Sequence, residues 1–118
     1  WFYLMRFNEK EAGVSRDEFV DALRAEGIRA NPGYIPICVY EYPMFINKNI
    51  YQGTKIPFSL PEYGREIEYK KGLCPKAEEV LGSVIYLPVN EFFTEQDLED
   101  TVAAIRKVST YYSESSKR

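Results

Sequence analysis

At 118 residues the chain has the length of about one domain and can bury one modest core. A net charge of −3 and a pI near 5.1 provide no basic field for a phosphate backbone, so no nucleic-acid partner is expected. No stretch reaches the roughly 20 apolar residues that a membrane span requires, and the absence of histidine removes imidazole metal sites and histidine-based triads.

Hydrophobic residues make up 45% of the chain and charged residues 28%, so a packed globular domain is expected rather than a disordered or fibrous one. Aromatic residues are abundant. The ten tyrosines suit an interface, or a polar pocket in which each ring offers one apolar face and one hydroxyl. Cys38 and Cys74 are expected as free thiols, because the sequence shows no secretory signal.

Trp1 to Phe7 is apolar except for Arg6 and reads as a strand buried on most of both faces. An apolar start without an initiator methionine also reads as a cut inside a longer protein. Asn8 to Val14 is polar and reads as a loop. Ser15 followed by Glu18 is a capping box, and Phe19, Val20 and Leu23 form the apolar stripe of a helix that Gly27 ends.

Ile28 to Ala30 reads as a short strand broken by Pro32-Gly33. Residues 31–73 then hold five of the seven prolines and six of the ten tyrosines. That proline density prevents a long helix or a central strand. The expectation is an irregular excursion that lines a site or wraps a partner, with one helical turn near Pro43 to Ile46.

Cys74-Pro75 starts the next helix, since Pro75 suits a first helical position and Glu78 and Glu79 lie near its positive end. Gly82 can end it. Ser83 to Leu87 is a core strand closed by Pro88, followed by a loop whose Phe92 and Phe93 are expected to cover the sheet edge. Thr94 and Asp97 repeat the capping logic, and Leu98, Val102, Ile105 and Val108 give the last helix its stripe. Residues 1–110 form one domain on this reading, and 111–118 form a frayed tail. The fold class is α+β: a small mixed or antiparallel sheet of about three strands, helices on one face, and a long irregular Pro/Tyr-rich excursion.

The ordered set Gly27-Ile28, Gly33-Tyr34, Pro36, Cys74-Pro75-Lys76-Ala77-Glu78, Leu87-Pro88 and Ala104-Ile105-Arg106-Lys107 resembles the C-terminal part of the DegT/DnrJ/StrS aminotransferases. These are fold type I enzymes that use pyridoxal 5'-phosphate. The resemblance implies a small C-terminal domain in a cytoplasmic enzyme, covering the active site and supporting a homodimer. The cofactor would be bound by a large N-terminal domain of the same polypeptide. It also implies transfer of an amino group from glutamate or glutamine to a keto sugar or cyclitol, with no catalytic or cofactor-binding residue and no metal ligand supplied by this chain.

Many relatives carry His-Tyr-x-Pro-Leu-His where this chain reads Gly33-Tyr34-Ile35-Pro36-Ile37-Cys38, which looks more like the branch acting on cyclitol ketones. Three residues are candidates for substrate contact. Arg29 suits a carboxylate through its two-pronged guanidinium, or a surface ion pair. Tyr34 suits a substrate oxygen, or a ring packed beneath the excursion. Tyr40, with Tyr42, suits a neighbouring subunit or an edge strand. The competing reading of the whole chain is a non-catalytic ligand-binding or protein-interaction module.

Overall fold

The computed structural model describes residues 1–64 and 66–115. The chain divides into two compact units, one formed by Trp1–Tyr34 with Gly82–Arg118 and the other by Ile35–Leu81.

The first unit is built on β3 (Val84–Pro88), whose Val-Ile-Tyr-Leu sequence favours a pleated, buried position. It is the middle strand of an antiparallel sheet ordered β1-β3-β2, between β1 (Phe2–Arg6) and the two-residue β2 (Asn31–Pro32). Phe2 pairs with Pro88, Leu4 with Tyr86 and Arg6 with Val84, while Asn31 pairs with Tyr86 on the other side. Pro32 is tolerated because β2 is an edge. Side chains alternate along a strand, so this register puts Ile85 and Leu87 on the same face as Met5, and Phe2, Leu4 and Tyr86 on the opposite one.

Helix α1 (Glu9–Ala12) is a single turn capped by Asn8, whose side chain accepts from the Lys10 and Glu11 N–H groups. Helix α2 (Arg16–Ala25) carries the capping box read from the sequence. The Glu18 N–H donates to Ser15 Oγ at 3.3 Å, and the Ser15 N–H donates to the Glu18 carboxylate at 3.4 Å. Phe19, Val20 and Leu23 of α2 pack with Ala30, with Ile85 and Leu87 of β3, and with Ala104 and Val108 of α5 (Glu95–Ser115). The helices thus lie over one face of the sheet. Phe7 meets Phe19 with ring centroids 4.7 Å apart, which extends the core beyond the end of β1.

In the second unit proline sets the local structure. Pro43 opens the short helix α3 (Pro43–Ile46), as expected, and Pro61 opens a 3-10 turn, Pro61–Tyr63. Another 3-10 turn, Val39–Glu41, is closed by the Cys38 N–H donating to the Glu41 carboxylate at 3.1 Å. Phe45, Phe58 and Tyr69 form an aromatic cluster with centroids 5.6 to 6.4 Å apart. The proline-rich excursion is therefore organised around tight turns and clustered rings. Helix α4 (Pro75–Ser83) begins in this unit, and its last two residues belong to the first.

Several local expectations are corrected. β1 is an edge strand, paired with β3, and its side chains are mostly exposed. Asn8 caps a helical turn where a loop was expected. The strand after α2 is Asn31–Pro32, because residues 27–30 are used to close the helix. Gly82 lies inside α4. Phe92 is 80% exposed and does not cover the sheet edge. Leu98 is 56% exposed, so the buried stripe of α5 begins lower, at Ala104 and Val108. Helix α5 continues to Ser115, where a frayed tail was expected from residue 111, and Tyr112 packs against Phe19 at 6.4 Å. Residues 116–118 of that tail lie outside the described residues. Among the described residues no helix is long and apolar enough to cross a membrane, and no group of three or more potential metal ligands is present.

Candidate functional site

The end of α2 positions the first of the predicted residues. Gly27 adopts φ +87°, a left-handed conformation that glycine takes without strain. Its N–H donates to Arg24 O at 3.0 Å, and the Ile28 N–H donates to Leu23 O at 3.0 Å. This paired closure is a Schellman motif, and it turns the chain so that Ile28 packs on the core while Arg29 points outward.

Arg24 braces the turn. Its Nε donates to Ala30 O at 2.9 Å, while its terminal nitrogens donate to Asp21 and to the Asn31 side chain, each at 3.0 Å. Between this turn and β3 lies an open hollow of about 430 Å³, lined in part by Arg24, Arg29, Asn31, Tyr86 and Pro88. Arg24 is committed to three acceptors. Arg29 is exposed and makes no ion pair among the described residues, so the surface-pair alternative is not realised there. Its guanidinium remains available to a carboxylate or another small anion.

Tyr34 lies on the sheet face opposite the core. Its ring stacks on Phe2 at 4.9 Å and lies 6.0 Å from Tyr86, which is itself 5.2 Å from Phe2. At 56% exposure, Tyr34 has a supported ring and an accessible edge. Tyr86 contributes both to this aromatic group and to the lining of the Arg29 hollow. Arg29 and Tyr34 are thus brought to neighbouring positions of one unit by a single strand.

Tyr40 belongs to the second unit and has a different set of partners. Its hydroxyl donates to the Glu78 carboxylate and accepts from the Cys74 N–H at 3.3 Å. The Gly72 N–H donates to the same carboxylate at 2.5 Å. Burial, followed by the hydrogen bond to Glu78, pushes the Tyr40 hydroxyl well above the usual tyrosine range. The donated Tyr40 hydrogen bond, then that from Gly72, holds the Glu78 carboxyl below its ordinary value. The Tyr40–Glu78 hydrogen bond contributes to both shifts, in opposite directions, and its proton stays on tyrosine. Tyr40 is therefore a tie between the 3-10 turn and the start of α4.

Sequence reasoning missed Glu78 as a member of this cluster, having read it only as an acid near a helix N-terminus. The readable signal was local: a carboxylate in the first turn of a helix, six residues after Gly72, can turn back to an unpaired N–H. Its pairing with Tyr40 carries no such signal.

No family model matches the chain, and no solved structure matches it. Two curated proteins are similar over most of its length. The spore coat polysaccharide biosynthesis protein SpsC of Bacillus subtilis is 24% identical over 107 residues, covering 90% of this chain and 22% of that protein. An uncharacterized protein of Methanocaldococcus jannaschii is 26% identical over 106 residues, again 90% of this chain and 22% of the relative. The chain spans about a fifth of the length of these relatives.

Proposed function

We propose that this chain is the C-terminal domain of a longer pyridoxal-phosphate-dependent aminotransferase that moves an amino group from glutamate or glutamine to a keto sugar or cyclitol. The observation that carries this reading is the likeness to a polysaccharide biosynthesis protein over 90% of the chain, together with the ordered motifs from Gly27-Ile28 to Ala104-Ile105-Arg106-Lys107. The α+β layout, with a small antiparallel sheet and helices on one face, agrees with it.

Among the described residues the lysines do not fit the cofactor. Lys48 is paired with Glu66 at 3.2 Å, Lys70 with Glu68 at 2.8 Å and Lys107 with Glu26 at 2.6 Å, while Lys10, Lys55, Lys71 and Lys76 are exposed. None sits in an enclosed site suited to a Schiff base. On this reading the cofactor is held by a large domain outside this chain, within a cytoplasmic homodimer.

On this reading the chain binds and orients substrate. Arg29 holds a carboxylate of the amino donor at the rim of its hollow, and Tyr34 directs its hydroxyl to an oxygen of the acceptor. Tyr40 acts through Glu78, keeping the second unit in shape.

The test is amino transfer by the complete polypeptide supplied with cofactor and glutamate labelled at nitrogen. Label appearing in a keto cyclitol or keto sugar supports the proposal. Label that stays in glutamate across a panel of both acceptor classes overturns it and favours the interaction-module reading.

A further inference from the structure

The hollow beside Arg29 stands out in a chain whose net charge is −3, because its eight described lining residues include two arginines and no acid. The two arginines are not equivalent. Arg24 pairs with Asp21 at 3.0 Å and also serves Ala30 O and Asn31 Oδ1, whereas Arg29 has no hydrogen-bond or ion-pair partner among the described residues.

By donating to Asn31 Oδ1 at 3.0 Å, Arg24 also fixes which end of that amide is occupied. The Asn31 Nδ2 group, with two N–H donors, is left without a partner among the described residues. Asn31 is the Cα partner of Tyr86, so both side chains stand on the sheet face opposite the core. Arg29 lies two residues earlier and lines the same hollow. An unpaired guanidinium and an unpaired amide N–H2 thus border one cavity, whose lining also includes the ring of Tyr86 and Pro88.

We propose that this hollow is a binding site for a small aliphatic carboxylate, in which Arg29 and Asn31 Nδ2 both donate to the carboxylate oxygens and Arg24 is the positioning residue that turns the Asn31 amide to its donor side. A carboxylate has two accepting oxygens and no hydrogen to offer, so it satisfies both groups. A carboxamide of the same shape brings its own N–H2 against one of them and carries no charge for the guanidinium. The methylenes of the ligand lie against Tyr86 and Pro88, as in sites where a few polar groups orient a ligand over an apolar lining. The inference deepens the role proposed above for Arg29 and rests on that reading for the identity of the ligand as the amino donor.

The test records nitrogen–proton correlation spectra of the 118-residue chain during titration with glutarate, with glutaramide and with inorganic phosphate at constant ionic strength. Glutarate should give saturable shifts confined to residues 27–31 and Tyr86, including the Asn31 side-chain amide; glutaramide should give none and phosphate weaker ones. Asn31→Asp keeps an acceptor for Arg24 but loses the donors, and it should weaken glutarate binding by about tenfold or more, as should Arg29→Ala. In Arg24→Ala the glutarate-dependent shift of the Asn31 side-chain amide should disappear while that of the Arg29 Nε–H persists. Phosphate binding as tightly as glutarate, shifts scattered over other lysines and arginines, unchanged affinity in Asn31→Asp, or no saturable shift would each overturn the inference. These spectra need neither cofactor nor acceptor, so failure here is distinct from failure of labelled nitrogen to move in the complete polypeptide.

Discussion

The Tyr40 hydroxyl donates to the carboxylate of Glu78, 38 residues further along the chain, and the two groups shift each other's proton affinity in opposite directions. Removing the donor leaves Glu78 with the Gly72 N–H and leaves the Cys74 N–H without its acceptor. In Tyr40→Phe, the amides of Gly72 and Cys74 should exchange with solvent faster than in the unsubstituted chain, while amides of β3 keep their protection. Equal acceleration in both units would show that the tie is not local.

Acid should loosen the second unit through Glu78. Its folded pKa lies below the ordinary 4.5, so its contribution is fully present above that value and is lost as pH falls through the lower, folded one. Glu78→Gln should therefore flatten the acid limb of the stability profile relative to the unsubstituted chain. Tyr40 has the reverse sign: its folded pKa is raised, so its contribution is present below 10.0 and is lost only at stronger alkalinity. Thermal melts across pH read both limbs.

Core truncation should separate the buried stripe from the exposed one. Leu23 is fully buried against β3 and α5, so Leu23→Ala should cost about 2 to 5 kcal/mol, measured by urea denaturation. Leu98→Ala, on the exposed start of α5, should change stability by less than about 0.5 kcal/mol.

Ser15→Ala removes the acceptor of the Glu18 N–H and should lower stability by about 1 kcal/mol. Ser15→Asp should restore most of the loss, because an acidic cap suits the helix N-terminus.

If Arg29 holds the donor carboxylate, Arg29→Ala in the complete polypeptide should raise KM for glutamate roughly tenfold to a hundredfold with kcat largely kept. An unchanged KM would remove Arg29 from the donor site.

Features set by neighbours in the sequence were readable, and features set by distant partners were not. Ser15 with Glu18, Thr94 with Asp97 and Pro75 at a helix start each solve a local backbone problem within four residues, and each appears where its spacing indicates. The strand Val84–Pro88 was legible from its β-branched and aromatic content, but its central place in the order β1-β3-β2 depends on partners far away. The apolar content of β1 likewise did not disclose that it is an edge strand with mostly exposed side chains. Polarity led to the expectation of a frayed tail, yet Tyr112 reaches Phe19 and the helix continues past it. At the candidate site, Arg29 and Tyr34 could be named from their place after Gly27, whereas the Tyr40–Glu78 tie required the fold to bring two turns together.

The most direct measurement is absorbance between about 320 and 430 nm of the complete polypeptide reconstituted with pyridoxal phosphate, with the 118-residue chain beside it. The aminotransferase reading predicts a cofactor band in the complete polypeptide that shifts when glutamate is added, and no such band in the shorter chain. A well-folded complete polypeptide that shows no band would contradict it.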